Sequence, residues 1–296
     1  MGNCFDSMDP NKHSESIASW AMKEGKDAGL VTTTRVTHAS PAGVYASISY
    51  RHWEDDYNVR RDGCDPDILD DITEQLVYGE VGKKLKVVFG CGSRQFINDT
   101  QTIHNTKGYR NDGKNLLEDW KQMSPARTYV DDKKSLLELD PTKSDQVLGL
   151  FSAGHCPYNL NVIRDNQKEI IPSLQEMTEK AIDILSQNEK GFFLFVEGGR
   201  IDHGHHETRA KYAIDETVEF SKAIEAALKK VNINETLIVV SADHSHAMTM
   251  SGYSVSLSLL FEKMSKIMKL LLQARGNDIF GFAGTGGDGL PYTTLS

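Results

Sequence analysis

An apolar run of five residues, Phe192 to Val196, leads directly into a dense cluster of acidic and histidine side chains. The run predicts a strand that is buried on both faces of a parallel sheet. Glu197 follows it, then two glycines, and then the cluster itself, from Asp202 to Glu207. Loops at the carboxyl ends of parallel strands are the usual ligand sites of open α/β sheets. This stretch therefore restricts the chain to an α/β fold with polar chemistry at one sheet edge.

Asp202 and His206 are four residues apart. A helix that begins at about Asp202 would place both side chains on one face, where a carboxylate oxygen and an imidazole nitrogen can hold one metal ion. An alternative interpretation treats Asp202 as a helix N-cap and the histidines as an exposed first turn. We favour the metal interpretation because one Glu, one Asp and three His lie within ten residues, directly after a strand.

Two further runs rich in β-branched residues end in polar side chains of the same kinds. They are residues 29–36, followed by His38 and Ser40, and residues 236–240, followed by Asp243 and His244. Helical patterns alternate with these strands, which predicts a three-layer α/β/α sandwich around a mostly parallel central sheet. The combined oxygen and imidazole ligands suit Zn²⁺ with Mg²⁺, or Mn²⁺. For Ser40 alone, a helix N-cap followed by proline is an equally good interpretation.

The remaining segments predict the frame around these clusters. Apolar residues at helical spacing predict helices over 65–78, 116–121, 134–139, 173–186 and 207–230. Further strands are predicted over 84–89 and 148–151, and Asp6-Ser7 is interpreted as a loop. The glycines of Gly90-Cys91-Gly92 indicate a close approach of two backbones at the end of the first of these strands.

Composition narrows the classes of function. The 296 residues carry a formal net charge of −9 and no basic stripe, which argues against nucleic acid as the main partner. Residues 1–20 are polar and lack the apolar core of a signal peptide, and no apolar run is long enough to span a membrane. The four cysteines have no CxxC spacing, which argues against a cysteine-rich zinc site. Sequons at Asn98 and Asn234 are compatible with a secreted glycoprotein.

Taken together, these residues resemble alkaline phosphatase. The resemblance rests on residues 31–43, 192–207 and 242–246, and it covers nearly the whole length except residues 256–274. It implies one alkaline phosphatase-like domain over 1–296, truncated at both ends. Residues 256–274 would then be an atypical inserted segment, whose apolar side chains lie at helical spacing.

The resemblance also implies a ligand set of two zinc ions and one magnesium ion. Asp202 and His206 would bind the first zinc, and Asp243 and His244 the second. Ser40 and Glu197 would bind magnesium, with His38 in its outer shell. Three further roles are implied: Arg51 would fork onto the substrate phosphate, Cys4 and Cys64 would form a disulfide, and a calcium site is doubtful because Ser152 and Ile171 replace carboxylates.

The activity implied is hydrolysis of phosphate monoesters through a phosphoserine. The family's nucleophile lies in an Asp-Ser-Ala segment that these residues do not contain, and the last zinc histidine is also absent, so no catalytic nucleophile is assigned. The alternative is a metal-binding fragment or splice product without activity of its own. A phosphodiesterase or sulfatase is disfavoured by the motifs. We expect a homodimer, an extracellular or cell-surface location, and membrane attachment only through a lipid anchor outside these residues.

Overall fold

The structure is a computed structural model that describes residues 4–247, 281–285 and 291–294. Its backbone contacts divide the chain into two compact units, residues 1–232 and 233–296. The predicted inserted segment, 256–274, lies outside the described residues. None of the helices in the described part of the chain combines the length and the apolar character that a membrane crossing requires.

Seven strands belong to the first unit: β1 Asp27–Arg35, β2 Val87–Cys91, β3 Thr102–Ile103, β4 Thr106–Lys107, β5 Arg127–Val130, β6 Gln146–Leu150 and β7 Phe192–Glu197. Five of them form a parallel sheet in the order β5-β6-β2-β1-β7, and β3 and β4 form a small antiparallel hairpin. In the second unit, β8 Gly281–Thr285 pairs antiparallel with β9 Pro291–Thr294. The first unit therefore contains the parallel sheet that the sequence predicts.

The described helices all lie in the first unit. They are α1 Cys4–Met8, α2 Ile17–Lys23, α3 Ala39–Ala42, α4 Asp56–Arg61, α5 Ile72–Val77, α6 Leu116–Gln122, α7 Lys133–Glu138, α8 Asn159–Arg164, α9 Leu174–Leu185, α10 Arg200–His206 and α11 Ala210–Lys230. Side chains fix several of their starts. Ser173 and Glu176 form a reciprocal capping box at α9, and Asp71 and Glu74 form another at α5.

Successive residues of the sheet alternate between two hydrophobic cores. Leu30 of β1 belongs to a core that includes Ile72 of α5 and Leu116 of α6. Its neighbour Val31 belongs to a second core, with Met177 of α9. Because adjacent strand residues point to opposite faces, helices cover both sides of the sheet. The predicted three-layer α/β/α arrangement is confirmed for this unit.

Strand β7 differs from its prediction in burial. All six of its residues are half-buried rather than buried on both faces. In the described part of the sheet β7 is an edge strand, paired with β1 alone, so one side of it has no neighbouring strand. The apolar composition of residues 192–196 identified the strand correctly but could not show its position in the sheet.

The strand predicted over 236–240 is wrong. The structure assigns no strand there, and the side chains of Leu237, Val239 and Val240 are 86%, 76% and 53% exposed. Strand propensity reflects packing on a sheet surface and needs a backbone partner to take effect. No strand among the described residues pairs with this segment.

Two smaller predictions also need correction, and one strand is missing from the prediction. Asp6 and Ser7 lie in α1 rather than in a loop. The helix predicted from residue 65 begins only at Ile72, because Asp71 caps it, and Ile68 remains 66% exposed. Strand β5 was not predicted, since its sequence Arg-Thr-Tyr-Val is short and only half apolar.

Two disulfides close the first unit. Cys4 and Cys64 are joined, as the family resemblance implies, with their Cα atoms 5.8 Å apart. The second bond, Cys91–Cys156, was not predicted and joins the end of β2 to the loop that follows β6. No cysteine of the described residues is free.

The close approach predicted at Gly90 and Gly92 is present. A Cβ on Gly90 would lie 2.7 Å from Val36 Cγ1 and 2.8 Å from Thr32 Cγ2. Gly92 has a positive φ of 98°, and a Cβ there would lie 2.7 Å from Arg35 Cβ. The two glycines let β2 lie tightly against the carboxyl end of β1, where the candidate site begins.

We predict that Gly90→Ala lowers the free energy of unfolding by about 1–3 kcal/mol, because the added methyl overpacks the β1–β2 contact. Urea denaturation followed by circular dichroism measures the change. The matched control is Gly154→Ala, whose Cβ would meet only Arg94 Nη2, at 3.9 Å. Equal denaturation midpoints for the two variants would contradict the prediction.

Candidate active site

Parallel pairing of β1 with β7 brings two of the predicted polar clusters together. Thr32 and Glu197 are register partners at the carboxyl ends of these strands. The Thr32 hydroxyl donates a hydrogen bond of 2.5 Å to Glu197 Oε2, and Thr34 Oγ1 lies 3.3 Å from the same oxygen. Both threonines are buried. The Glu197 carboxylate is thus held at the sheet edge by residues from the neighbouring strand.

The glycines after Glu197 allow a tight turn from β7 into α10. A Cβ on Gly199 would lie 2.4 Å from Thr34 Cγ2 and 2.9 Å from Glu197 Cδ. The next residue, Arg200, donates its backbone N–H to Thr33 Oγ1 at 3.2 Å. Helix α10 therefore starts directly against the end of β1.

Helix α10 presents Asp202 and His206 side by side. His206 Nε2 lies 3.4 Å from Asp202 Oδ1, as the four-residue spacing predicts. The helix begins at Arg200 with Gly199 as its N-cap, so the alternative interpretation of Asp202 as an N-cap is wrong. The two side chains are 35% and 68% exposed, which leaves them open to an ion from solvent.

The segment after β1 supplies Ser40, His38 and Arg51. Ser40 is exposed within the short helix α3, whose N-cap is His38, so Ser40 is not itself a cap. His38 is half-buried, and its Nδ1 is shielded from solvent without a hydrogen-bond partner in the described residues. Arg51 is exposed but close enough to His38 for its charge to lower the pKa of that imidazole.

Three imidazoles, those of His38, His155 and His203, form a compact cluster at this edge. Their ring centroids are 4.4 Å apart for His155 and His203, 5.1 Å for His38 and His155, and 5.4 Å for His38 and His203. Burial lowers the pKa of His38 to about 3 and that of His203 to about 4, and it also lowers the pKa of His155. The charges of Arg35 and Arg200 act in the same direction, so the rings are neutral at pH 7.

Two arginines contact the imidazoles of this cluster. Arg35 donates to the Glu54 carboxylate from Nε at 2.7 Å and from Nη2 at 2.6 Å, and its Nη1 lies 2.5 Å from His155 Nε2. Arg200 Nη1 lies 2.7 Å from His203 Nδ1, and its guanidinium stacks 3.7 Å from the centre of the Tyr158 ring. Because guanidinium groups can only donate, His203 Nδ1 accepts from Arg200. Both ring nitrogens of His155 face donors of Arg35, and since a neutral imidazole carries one proton, only one of the two can accept.

These contacts decide whether the three imidazoles can hold a metal ion. The nitrogen of a metal-bound histidine that does not face the metal normally donates to a carboxylate or carbonyl. His155 and His203 instead face guanidinium donors, so the three-histidine cluster does not fit a metal ion despite its compactness. Asp202, His206 and Glu197 offer carboxylate oxygens and an imidazole nitrogen, which are ligand types that suit a divalent cation.

Asp243 and His244 belong to the second unit, where they are neighbours in sequence. Asp243 Oδ2 and His244 Nε2 lie 3.5 Å apart, and the side chains are 80% and 53% exposed. The rings of His244 and His246 are edge-on, 5.2 Å apart. The second unit thus offers one carboxylate and two imidazoles within a few residues.

His155 and Arg200 are site residues that the sequence prediction missed. His155 follows β6 by five residues, so the search for polar side chains after each strand, if applied to β6, would have found it. Arg200 lies inside the 192–207 motif, where the metal prediction uses only the acidic and histidine residues.

The chain is similar to known proteins of one family. The family model described as alkaline phosphatase matches residues 5–278. The chain belongs to the alkaline phosphatase family. It is 44% identical over 257 residues to a membrane-bound alkaline phosphatase of Bombyx mori, covering 85% of this chain and 46% of that protein. It is 39% identical over 281 residues to the human tissue-nonspecific isozyme, covering 90% and 48%.

Solved structures show the same fold. The alkaline phosphatase of Thermus thermophilus matches with a TM-score of 0.55 and 30% identity, covering 71% of this chain and 37% of that one. A cold-active enzyme from Shewanella also has a TM-score of 0.55, at 23% identity. The chain spans about half the length of the curated relatives it matches.

Helix α11 carries a buried carboxylate. Glu216 of α11 is 4% exposed and accepts the backbone N–H of Asn159 at 2.7 Å. Burial raises its pKa to about 7, although that hydrogen bond and the charge of Arg200 both oppose the rise. An acid whose pKa is raised by folding destabilises the folded protein once it ionises.

We predict that Glu216→Gln becomes more stabilising relative to wild type as the pH rises from about 4.5 to 7 and then levels off. Below this window the wild-type carboxyl is protonated in both states, so the two proteins should differ little. Above it the gain should reach about 1–3 kcal/mol, since one pKa unit corresponds to about 1.4 kcal/mol. Urea denaturation at several pH values measures it. Glu225→Gln, an exposed change on the same helix, is the control, and a pH-independent difference for Glu216→Gln would contradict the prediction.

Proposed function

We propose that this chain forms part of a metal-dependent enzyme that hydrolyses phosphate monoesters. Membership of the alkaline phosphatase family supports this activity. The single observation that supports the proposal is the parallel pairing of β1 with β7, which makes Thr32 the register partner of Glu197 and is followed by a contact between His38, after β1, and His203 of α10. Carboxylates and imidazoles from separate strands thereby reach one sheet edge.

We assign the metal ligands as the family resemblance implies. Asp202 and His206 would hold one zinc ion, and Asp243 and His244 a second. Ser40 and Glu197 would hold magnesium, with His38 in its outer shell. When bound, such ions neutralise charge on the attacking and leaving oxygens and lower the pKa of a bound water.

The protein's own side chains orient these groups and the substrate. Thr32 donates to Glu197 Oε2 and so fixes the direction of that carboxylate. Arg51 is exposed near His38, and its planar fork can donate to two oxygens of one phosphate, a geometry that lysine cannot copy. The substrate would be a small phosphate monoester, and nucleic acid is not proposed as a partner.

A second candidate is a metal-binding chain without activity of its own. It is favoured by one observation: the 296 residues contain no Asp-Ser-Ala segment to supply the nucleophile of the phosphoserine mechanism. Both candidate functions use the same metal ligands and differ only in whether the chain hydrolyses substrate. The two candidates are distinguished by comparing the hydrolysis rate of the 296-residue chain with that of a chain extended by the nucleophile segment.

We predict that the 296-residue chain hydrolyses p-nitrophenyl phosphate at least about a thousandfold more slowly than the extended chain, because no covalent intermediate can form. Initial rates with added Zn²⁺ and Mg²⁺ measure this. Comparable rates would show that another group replaces the serine and would remove the second candidate.

We also predict that His206→Ala and Asp243→Ala each reduce the zinc content of the purified chain, since each removes one ligand of a site built from few. Atomic absorption after dialysis against a fixed zinc concentration measures the stoichiometry. His13→Ala, an exposed histidine of the N-terminal segment, is the control. Unchanged zinc content in both test variants would defeat the ligand assignment.

Location and assembly are proposed from the family and from the disulfides. Two disulfides fit an oxidising compartment, which supports an extracellular or cell-surface location. Asn98 and Asn234 remain predicted glycosylation sites. The side chain of Asn98 accepts hydrogen bonds from the backbone N–H and the hydroxyl of Thr100, both at 2.9 Å. A homodimer and a lipid anchor outside these residues are proposed by analogy with the family alone.

A further inference from the structure

The loop between β6 and α8, residues 151–158, crosses the end of β1 and is fastened along its length. The backbone N–H groups of Gly92 and Ser93 donate to Ser152 O at 2.9 and 3.2 Å. Further along, the Cys156 N–H donates to Thr33 O at 3.2 Å. The Cys91–Cys156 disulfide adds a covalent tie between this loop and the end of β2. We call residues 151–158 the His155 loop.

His155 projects from this loop into the candidate active site. Its ring stands edge-on to His203 and His38, with interplanar angles of 66° and 79°. Its Nδ1 lies 3.2 Å from the backbone N of Arg35, and its Nε2 lies 2.5 Å from Arg35 Nη1. The ring therefore fills the space between two other imidazoles and one arginine.

Arg35 is held on two edges of its guanidinium. Glu54 accepts from Nε and Nη2, while His155 faces Nη1. Glu54 also accepts from the Thr37 hydroxyl at 2.6 Å. Loss of His155 would leave Nη1 without that acceptor and open the space against His38 and His203.

We propose that His155 is a positioning residue for the phosphatase site and that the Cys91–Cys156 disulfide is the device that holds it there. Through its contacts it fixes Arg35, His38 and His203 at the edge where Glu197 and Asp202 lie. The role in a phosphatase site rests on the proposed function. The placement of the three imidazoles can be measured without metal or substrate.

The chain supplies a matched control for the disulfide. Cys91 and Cys156 are separated by 65 residues in sequence, and Cys4 and Cys64 by 60. In the chain-entropy account of disulfides, loops of such similar length restrict the unfolded state to nearly the same extent. The two bonds differ in location, because Cys64 packs in a separate apolar cluster with Trp53, Val59 and Leu69. Loss of either bond should cost similar stability, and only one loss should disturb the imidazoles.

The experiment uses the 296-residue chain and two double variants, Cys91→Ser with Cys156→Ser and Cys4→Ser with Cys64→Ser. Diethyl pyrocarbonate acylates neutral imidazole nitrogens, and peptide mass spectrometry measures its rate at each histidine. We expect the first variant to raise the rates at His38 and His203 at least about threefold through local opening. The second should leave both rates close to wild type, while the two thermal midpoints fall by similar amounts.

Two single variants test the role of His155 itself. His155→Ala should raise the acylation rates at His38 and His203 with the disulfide intact. His155→Gln should restore much of the protection, because its amide oxygen can still accept from Arg35 and its length fills part of the space. Rescue of this kind distinguishes positioning from general stability, since both variants lose the same ring.

Wild-type acylation rates in His155→Ala, or equal acceleration by the two double cysteine variants, would overturn the proposal. Failure of the proposed function would be seen separately, as absence of zinc binding and of p-nitrophenyl phosphate hydrolysis in the extended chain. Neither of those measurements enters the acylation experiment.

Discussion

The site depends on one contact between parallel strands, the pairing of Thr32 with Glu197. The ladder of backbone hydrogen bonds between β1 and β7 fixes this register, and a slip of one residue would turn every side chain to the other face. With the register fixed, the Thr32 hydroxyl reaches the carboxylate at 2.5 Å, and Arg200 reaches Thr33 at 3.2 Å. Segments separated by more than 150 residues in sequence thus arrive within hydrogen-bonding distance.

Much of the candidate site could be read from the sequence because its signals are local. Asp202 and His206 follow from a four-residue spacing, and the apolar run before them identifies β7. The predictions that failed depend on contacts between segments that are far apart in the sequence. The burial of β7 depends on which strands flank it, and the exposure of Leu237 and Val239 shows that propensity without a partner strand predicts nothing. His155 has no local signal beyond following a strand, and only the loop crossing β1 brings it to the other imidazoles.

The clustering of imidazoles shows why proximity alone does not define a metal site. His38, His155 and His203 are as close together as many ligand sets, yet Arg35 and Arg200 donate to two of them. A cation placed there would compete with two guanidinium groups for the same lone pairs. Asp202 and His206 lie one helical turn apart, with a carboxylate oxygen and an imidazole nitrogen 3.4 Å from each other, and they are the pair that we propose for a zinc ion. The orientation of neighbouring donors therefore argues against a metal ion in a histidine cluster that proximity alone would favour.

Arg35 also connects the site to a network of buried polar side chains. The Glu54 side chain binds Arg35, and its backbone carbonyl accepts from Thr73 of α5 at 2.6 Å. Helix α5 is N-capped by Asp71, whose carboxylate lies 2.9 Å from the fully buried Arg110. Buried ion pairs often add little net stability, but removing one partner leaves an uncompensated charge, so such networks tolerate few alternative arrangements. The Arg35 guanidinium thus contacts Glu54 through Nε and Nη2 and His155 through Nη1, and this double contact is why we propose that one imidazole of the His155 loop influences the geometry of the edge.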